Sequence, residues 1–430
     1  MFTKTKTLRN PFLLFLPLLL LYVLCIYIRF SPIDIGDEGR FLYYANNLLK
    51  GSYSPPYPDI YLVSGPGYPL LIAPLIALGA SKMLIVLLNA VMLYLSVVFV
   101  FKTIHQMLSF KVSFIFALSW GCYYMAYQNL ALVSYEVMSY LLITILFYCV
   151  LKAFQKDQPN ANKYLYLSGF ALGLLILTKI IFGYVVMLLL PLTALSLLVY
   201  RYKKNLRRLL GILSIGFLIL VPYLVYTYSI TSRVFYMGTG SDNLYWMTTP
   251  YDDEYGDWKG HLNQNPIEYS NYNTPDADSV LQAHHGKNYE KLDTLRGLQL
   301  DDAFKEMAIK NIKEHPGKFA GNILFNISRM IFHYPYSYAY QKPKTTLIFP
   351  INAIIFTLTL LALIPTLCNW KKILFPIRFM LILTLVYIGG SLVGSAEARM
   401  LVPIVPVLIV WFAYVYQKTV HIRINGWYGS

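Results

Sequence analysis

The sequence is poor in charge. Only 13% of its 430 residues are Asp, Glu, Lys or Arg, while 57% are hydrophobic, and so apolar a chain cannot cover itself with the polar surface of an ordinary soluble protein. Its four cysteines, Cys25, Cys122, Cys149 and Cys368, lie in or beside apolar segments without Cys-x-x-Cys spacing, so they point to neither a zinc site nor a disulfide framework. Acidic residues are the scarcer sign, 21 against 36 basic, for a net charge of +15. The basic residues fall in short clusters between apolar runs, not along one stripe, which argues against a nucleic-acid partner and for orientation in a membrane. No internal repeat of the kind found in many secondary transporters is visible.

What is present is a series of apolar runs long enough to span about 30 Å of hydrocarbon, at 12–29, 83–101, 112–131, 135–151, 164–180, 182–200, 209–228, 346–366, 374–393 and 400–417. The expectation is an all-α polytopic membrane protein with ten spans. The first run follows a basic head but lacks a small-residue cleavage site, so it reads as a retained span. A shorter run, "GPGYPLLIAPLIALG" at 65–79, carries Pro66, Pro69 and Pro74 and suits a re-entrant or interfacial helix better than an eleventh crossing.

Charge placement favours ten spans with both termini cytoplasmic. The inside segments then hold Lys4, Lys6 and Arg9; Lys102 and Lys111; Lys152, Lys156 and Lys163; Arg201, Lys203, Lys204, Arg207 and Arg208; Lys371, Lys372 and Arg378; and Lys418 and Arg423. Every acidic residue except Asp157 falls outside. This divides the chain into a membrane module of seven spans (1–228) with a first outer loop at 30–82, a large extracytoplasmic segment (229–345), and a module of three spans (346–430) ending in a cytoplasmic tail. Within 229–345 the periodicity predicts one helix with Phe304, Ala308, Ile309 and Ile312 on a face, a break at Pro316, and a second amphipathic helix through Phe319, Ile323 and Met330, both resting on the membrane surface.

The few acids are concentrated. In "IDIGDEGRFLYYANNLLKG" (33–51), Phe41, Tyr44, Ala45, Leu48 and Leu49 recur at helical spacing and Gly51 is a stop signal, so an interfacial helix is expected over 38–49 with Asp37 at its N-cap. A carboxylate there is held as an anion by the helix dipole and can take a proton from a hydroxyl nucleophile. On the same side lie Glu136 at the mouth of one span, Lys179 at a turn between two, and Glu397 with Arg399 at another. Charged groups at membrane boundaries are functional candidates. Together they describe an outer-leaflet site for a lipid-linked anion, with Arg40, Lys179 and Arg399 as phosphate-binding cations.

These segments resemble the GT-C glycosyltransferases, specifically the bacterial group related to dolichyl-phosphate-mannose protein mannosyltransferases and to lipid A and lipopolysaccharide sugar transferases. "DEGRFLYYANNLLKGSY" is similar to that family's acidic motif, "SGPGYPLLIAPLIALG" (with Tyr68) to its Pro-rich juxtamembrane helix, "SYEVMSY" to the segment with its second acidic position, here Glu136 where Asp is more usual, "LSGFALGLLILTKIIFGY" to its Gly-x-x-x-Gly…Leu-Thr-Lys stretch, and "EARMLVPIVP" to its late Arg-containing span. Many relatives carry Lys-Pro-Pro where this chain has Ser-Gly-Pro-Gly. The resemblance implies transfer of a sugar from a polyprenyl-phosphate donor to a glycan, lipid or protein acceptor at the outer face of a bacterial inner membrane. It implies Asp37 as general base, Glu38 and Glu136 as positioning groups, and Arg40, Tyr68, Lys179, Glu397 and Arg399 as further substrate contacts.

No cofactor is required by this pattern. "YDDEYGD" (251–257) is dense enough in carboxylates for a divalent cation but lacks the ordered ligand positions of a calcium loop, and His284 and His285 are adjacent, not an i, i+4 pair. Both read as solvated surface. The Tyr- and Trp-rich run "NLYWMTTPYDDEYGDWKGH" suits stacking on sugar rings as well as a membrane interface. The competing readings are a lipid-linked glycan flippase, which would carry charges within its spans and broken helices in two matching halves, and an O-antigen-type polymerase or ligase, in which an Asp-Glu helix straight after the first span is not expected.

Overall fold

Apolar segments in a bilayer must close their backbone hydrogen bonds internally, and the ten runs do so largely as α-helix. The structure, a computed structural model, describes residues 10–199, 204–234, 238, 240–260 and 272–419; Lys4, Lys6, Arg9, Arg201, Lys203 and Arg423, expected inside, lie outside the described residues, as does His261 of the aromatic run. Among the described residues the elements are helical, without strands. In chain order they are α1 (Leu16–Arg29), α2 (Glu38–Leu49), α3 (Gly67–Ala77), α4 (Lys82–His105), α5 (Phe110–Gly121), α6 (Glu136–Phe154), α7 (Ala161–Thr178), α8 (Ile181–Val199), α9 (Lys204–Thr231), α10 (Gly240–Met247), α11 (Ala277–Leu292), α12 (Gly297–Glu314), α13 (Pro316–Phe332), α14 (Lys344–Cys368), α15 (Phe375–Val393) and α16 (Val405–Thr419).

Among the described residues seven segments are long and apolar enough by themselves to cross a membrane: α4, α6, α8, α9, α14, α15 and the stretch Ala398–Lys418 that contains α16. The protein is an integral membrane protein. The other three runs are helical but short or less apolar: α1 is extended by a turn at Pro11–Leu14, α7 opens on the polar Ala161–Asn162–Lys163, and α5 stops at Gly121. The run expected over 112–131 is therefore not one helix. The Gly121 carbonyl receives the hydroxyls of Tyr22 and Tyr127, and the chain turns before a short helix at Tyr124–Tyr127.

The interfacial segment 38–79 behaves as two short helices. Helix α2 stops at Leu49, and Gly51 follows at φ +85°, a conformation that only glycine adopts without strain. Helix α3 has 11 residues, about 16 Å of rise, roughly half the hydrocarbon thickness. The chain then starts α4 with Lys82, whose ammonium bonds Asp34 at 3.0 Å and Glu38 at 2.9 Å. Residues 34–38 and the start of α4 thus share one end of the bundle, so 65–79 returns instead of crossing.

The loop before α3 lies against the end of α7. A Cβ built on Gly67 would sit 2.6 Å from both the backbone nitrogen and the hydroxyl of Thr178, and one on Gly65 would sit 2.1 Å from the Leu177 carbonyl oxygen. That contact accounts physically for the two glycines, since a side chain at either would push α7 and the adjoining Lys179 away.

Helices α10 to α13 form a lobe with its own core of Tyr245, Trp246, Leu281, Tyr289, Leu292 and Phe304. Phe304 and Ala308 are buried as expected, but Ile309 is exposed. Helix α12 ends at Glu314 and α13 begins at Pro316, as the proline predicts. In α13 three polar residues, Asn322, Asn326 and Arg329, at i, i+4 and i+7, are fully buried, whereas Leu324 is exposed. Of the apolar residues expected on one face, Met330 is buried and Phe319 and Ile323 are half-buried. The buried stripe binds backbone carbonyls: Asn322 donates to Met247 and Thr249, Asn326 to Leu392 and Gly394, and Arg329 to Ala396 and Pro335.

The acidic run 251–257 is only in part the solvated surface expected. Asp252 and Asp253 are exposed, but Asp257 is buried on Lys259 at 2.7 Å, and Glu254 is 2% exposed. His284 and His285 bond the Glu254 carboxylate at 2.9 and 3.0 Å. Burial by itself would raise that carboxyl, but hydrogen bonds from His285, Thr249 and His284 together with the charge of His285 take it from 4.5 to about 2.

Two outcomes follow from this packing. Gly67→Ala lowers thermal stability in detergent, by about 2 kcal/mol for a core overlap of this kind, whereas Gly317→Ala, where nothing lies within 4 Å, leaves it unchanged. Because the folded-state pKa of Glu254 lies below its unfolded value, its contribution is fully present above about pH 4.5 and is lost as pH falls through about 2. The difference in melting temperature between wild type and Glu254→Gln is therefore large at neutral pH and closes across that window; a difference independent of pH would contradict it.

Candidate active site

Charged residues come together where helices end. Asp37 precedes α2, Glu136 opens α6, Lys179 links α7 to α8, and after α15 Glu397 precedes, and Arg399 lies within, a 3-10 turn at Ala398–Met400. All of them, with Arg40 from the first turn of α2, line one cavity of about 260 Å³. Three carboxylates thus face three cations. Asp37 bonds Arg40 at 2.8 Å and Arg399 at 3.4 Å, Arg399 bonds Glu397 at 2.9 Å, and Lys179 bonds Glu136 at 3.0 Å. The Lys179 ammonium also lies 5.3 Å from the centre of the Tyr135 ring, itself edge-on to Phe41.

The two groups of pairs differ in exposure. Glu136 and Lys179 are 3% and 9% exposed, while Asp37 and Arg399 are 41% and 43% exposed and face the opening. The first pair fixes the junction of α6 with α7 and α8. The second can exchange partners with an arriving anion, because exposed ion pairs are held only weakly.

Two sequence expectations lie elsewhere. Glu38 is buried beneath the cavity, where it accepts the backbone N–H groups of Ile35 and Val133, each at 2.7 Å, as well as Lys82. It ties the first outer loop to the segment before α6 and does not line the cavity. Tyr68 is also buried, edge-on to Phe41, one layer behind the lining. Asp37 occupies the N-cap position of α2 but makes no side-chain cap hydrogen bond, because its backbone is already helical at φ −78° and ψ −3°; capping needs an extended conformation. Its carboxylate turns to the arginines instead.

The lobe supplies the roof, with Asn243 and Trp258 lining the same cavity. The Trp258 amide donates to the Ser395 hydroxyl at 2.7 Å and its indole N–H to Asp242 at 2.8 Å. Tyr135, Tyr387 and Ser395 complete the walls. Trp258 lies in the aromatic run picked out for sugar stacking. Asn243 begins the same run, whereas Tyr387 and Ser395 carry no sequence signal, since each is an ordinary residue made relevant by a neighbour far away in the chain.

Residues 63–227 match the family described as dolichyl-phosphate-mannose-protein mannosyltransferase, 165 of the 430 residues. Among solved structures, the apo oligosaccharyltransferase of Archaeoglobus fulgidus aligns over 96% of this chain with a TM-score of 0.50 and 12% identity. The chain is similar to that family over residues 63–227 and shares its fold with the archaeal protein. Its match covers 51% of the archaeal protein, so this chain spans about half of that length. ArnT from Cupriavidus metallidurans, solved with undecaprenyl phosphate, aligns over 94% of this chain and 77% of its own at 12% identity and a TM-score of 0.42. No curated protein matches the chain. The family match takes in Glu136 and Lys179 of the cavity; Asp37, Arg40, Glu397 and Arg399 lie beyond it.

Breaking the buried pair leaves one charge stranded. Lys179→Met lowers stability in detergent by about 3 kcal/mol, and most of the loss is recovered in Glu136→Gln/Lys179→Met, where neither charge remains. Equal destabilisation by the single and double variants would show that the pair is not coupled.

Proposed function

We propose that this chain is a GT-C-type glycosyltransferase that transfers a sugar from a polyprenyl-phosphate-linked donor to an acceptor hydroxyl on the extracytoplasmic side of the membrane, with Asp37 as the general base. The observation that carries the reading is the meeting of an accessible carboxylate with three cations in a single cavity at the helix ends. The match of residues 63–227 to a family described by a lipid-phosphate sugar donor supports the donor class.

The reaction needs two opposite charges handled at once. The acceptor oxygen bonds to the sugar C1 as its proton passes to the Asp37 carboxylate, and the bond from C1 to the phosphate oxygen breaks. Negative charge then grows on the leaving polyprenyl phosphate. Arg399, Arg40 and Lys179 are placed to stabilise it. An incoming phosphate competes for Arg399. As that 3.4 Å contact is given up, the Asp37 carboxylate is freed to meet the acceptor hydroxyl when the donor is seated. Glu397, at 2.9 Å from Arg399, holds the arginine in place during the exchange.

In this reading Glu136 keeps Lys179 oriented, Trp258 in the roof offers a face to the sugar, and Glu38 and Tyr68 act by holding α2. The outer-face cavity and the basic inner segments fit a bacterial inner membrane with cytoplasmic termini. A flippase would need charges along a path through the bilayer; here the charged lining belongs to helix ends at one side.

Asp37→Asn keeps the shape and removes the base. Transfer, read by mass spectrometry of envelope glycans from cells carrying either form, falls by at least about 100-fold, while expression, membrane insertion and melting temperature stay near wild type. Near-normal transfer by a folded Asp37→Asn protein would sink the mechanism.

A further inference from the structure

Outside the cavity, the lobe contains a second chemical cluster that glycosyl transfer does not use. Ligand atoms of Glu254, His284 and His285 all lie within 4.8 Å of one another. Glu254 Oε1 is 2.9 Å from His284 Nδ1, and its Oε2 is 3.0 Å from His285 Nε2. We propose that these three side chains bind a divalent transition-metal ion, zinc by their chemistry, and that the ion fastens the roof of the cavity to α11.

The donor set is the first argument. Two imidazoles and one carboxylate, with a water in the fourth position, match a tetrahedral zinc site. At zinc–ligand bonds of about 2.0–2.1 Å, tetrahedral edges measure roughly 3.3 Å. The carboxylate-to-imidazole separations need to open by only a few tenths of an ångström to admit the ion. Neighbouring residues on a helix point about 100° apart, yet both rings reach the same carboxylate because His284 offers its near nitrogen, Nδ1, and His285 its far one, Nε2.

The surroundings hold both rings in orientation. The Tyr251 ring stacks on His284 with centroids 3.7 Å apart, and the Tyr251 hydroxyl donates to the His284 carbonyl oxygen at 2.7 Å. The Tyr245 hydroxyl is 2.7 Å from His285 Nδ1 and receives Asn288 Nδ2 at 3.0 Å. A partner on the nitrogen that does not bind the metal is the usual support of a histidine ligand. Tyr338, 3.4 Å from Glu254 Oε1, and the Thr249 hydroxyl also face the carboxylate, and Lys318 holds the Glu254 carbonyl. His285 and Glu254 are buried, while His284 is 22% exposed and gives access.

On binding, the N–H groups that now point at Glu254 give way to nitrogen–metal bonds. His285 carries its proton on Nδ1, towards the Tyr245 oxygen, and His284 on Nε2, towards solvent. Any further proton held by the imidazoles is released to the buffer. The ion links α11 to loop 248–258, at whose end Trp258 meets Ser395 over the cavity. The site stands independently of the glycosyl-transfer reading; only its effect on transfer rests on that reading.

The test uses the full chain purified in detergent, stripped with chelator and titrated with zinc chloride. Wild type takes up one zinc per chain by elemental analysis and melts at a higher temperature with zinc. His284→Ala, which keeps the buried His285–Glu254 bond and so the fold, loses at least tenfold in affinity and loses the thermal shift; Tyr245→Phe, which alters only the support of His285, loses about tenfold. Asp37→Asn binds zinc like wild type, so failure of the catalytic assignment and failure of this one are distinguishable. Absence of stoichiometric zinc from wild type, or equal binding by folded His284→Ala, overturns the proposal and leaves the cluster a hydrogen-bonded latch.

Discussion

A charge near a bilayer must find a partner or stay wet, and this requirement organises the cavity. Asp37, Glu136 and Glu397 are each paired with one or two of Arg40, Lys179 and Arg399, which come from distant parts of the chain. The pairs are graded. Lys179 and Glu136 are almost wholly buried, where a partner lost is costly, so they act as a fixed point between α6 and the α7–α8 junction. Asp37 and Arg399 lie at the opening, where a pair can be exchanged cheaply. The same electrostatic rule thus gives a rigid wall and a responsive mouth.

The glycines before α3 belong to this scheme. Their bare backbone lies against Leu177 and Thr178, immediately before Lys179. The loop is thus set directly on α7, and the cations of the cavity come from the α7–α8 turn and from Arg40 and Arg399. A small residue at one point thereby sets where charge is available at another.

Much of this was legible in the sequence because membranes impose strong rules. Runs of hydrocarbon marked the helices, and charges at their ends marked the side on which Asp37, Arg40, Glu136, Lys179, Glu397 and Arg399 line a common cavity. What was not legible depended on tertiary partners. Glu38 follows Asp37 directly in the sequence, but only the approach of Lys82 and the Val133 amide takes it into the interior. The buried polar stripe of α13 was not legible because polar residues pack inward when the carbonyls of two loops need donors, and no periodicity announces those loops. Glu254 and the two histidines are separated by about 30 residues, a span across which one sequence carries no sign of contact. The acidic run at 251–257 looked uniform for the same reason, although it divides between exposed and buried carboxylates.

The polar stripe of α13 also bears on how the protein can move. Asn322 grips the loop that leads to Trp258, and Asn326 and Arg329 grip the loop that leads to Arg399. Ceiling and wall of the cavity are therefore fastened to one rod. Loosening either loop alone would strand buried donors, so the inexpensive motion is a tilt of the rod carrying both, and admission of a substrate has few independent degrees of freedom. The protein would behave less like a box with a hinged lid than like a jaw, whose bite is set by the angle of a single helix.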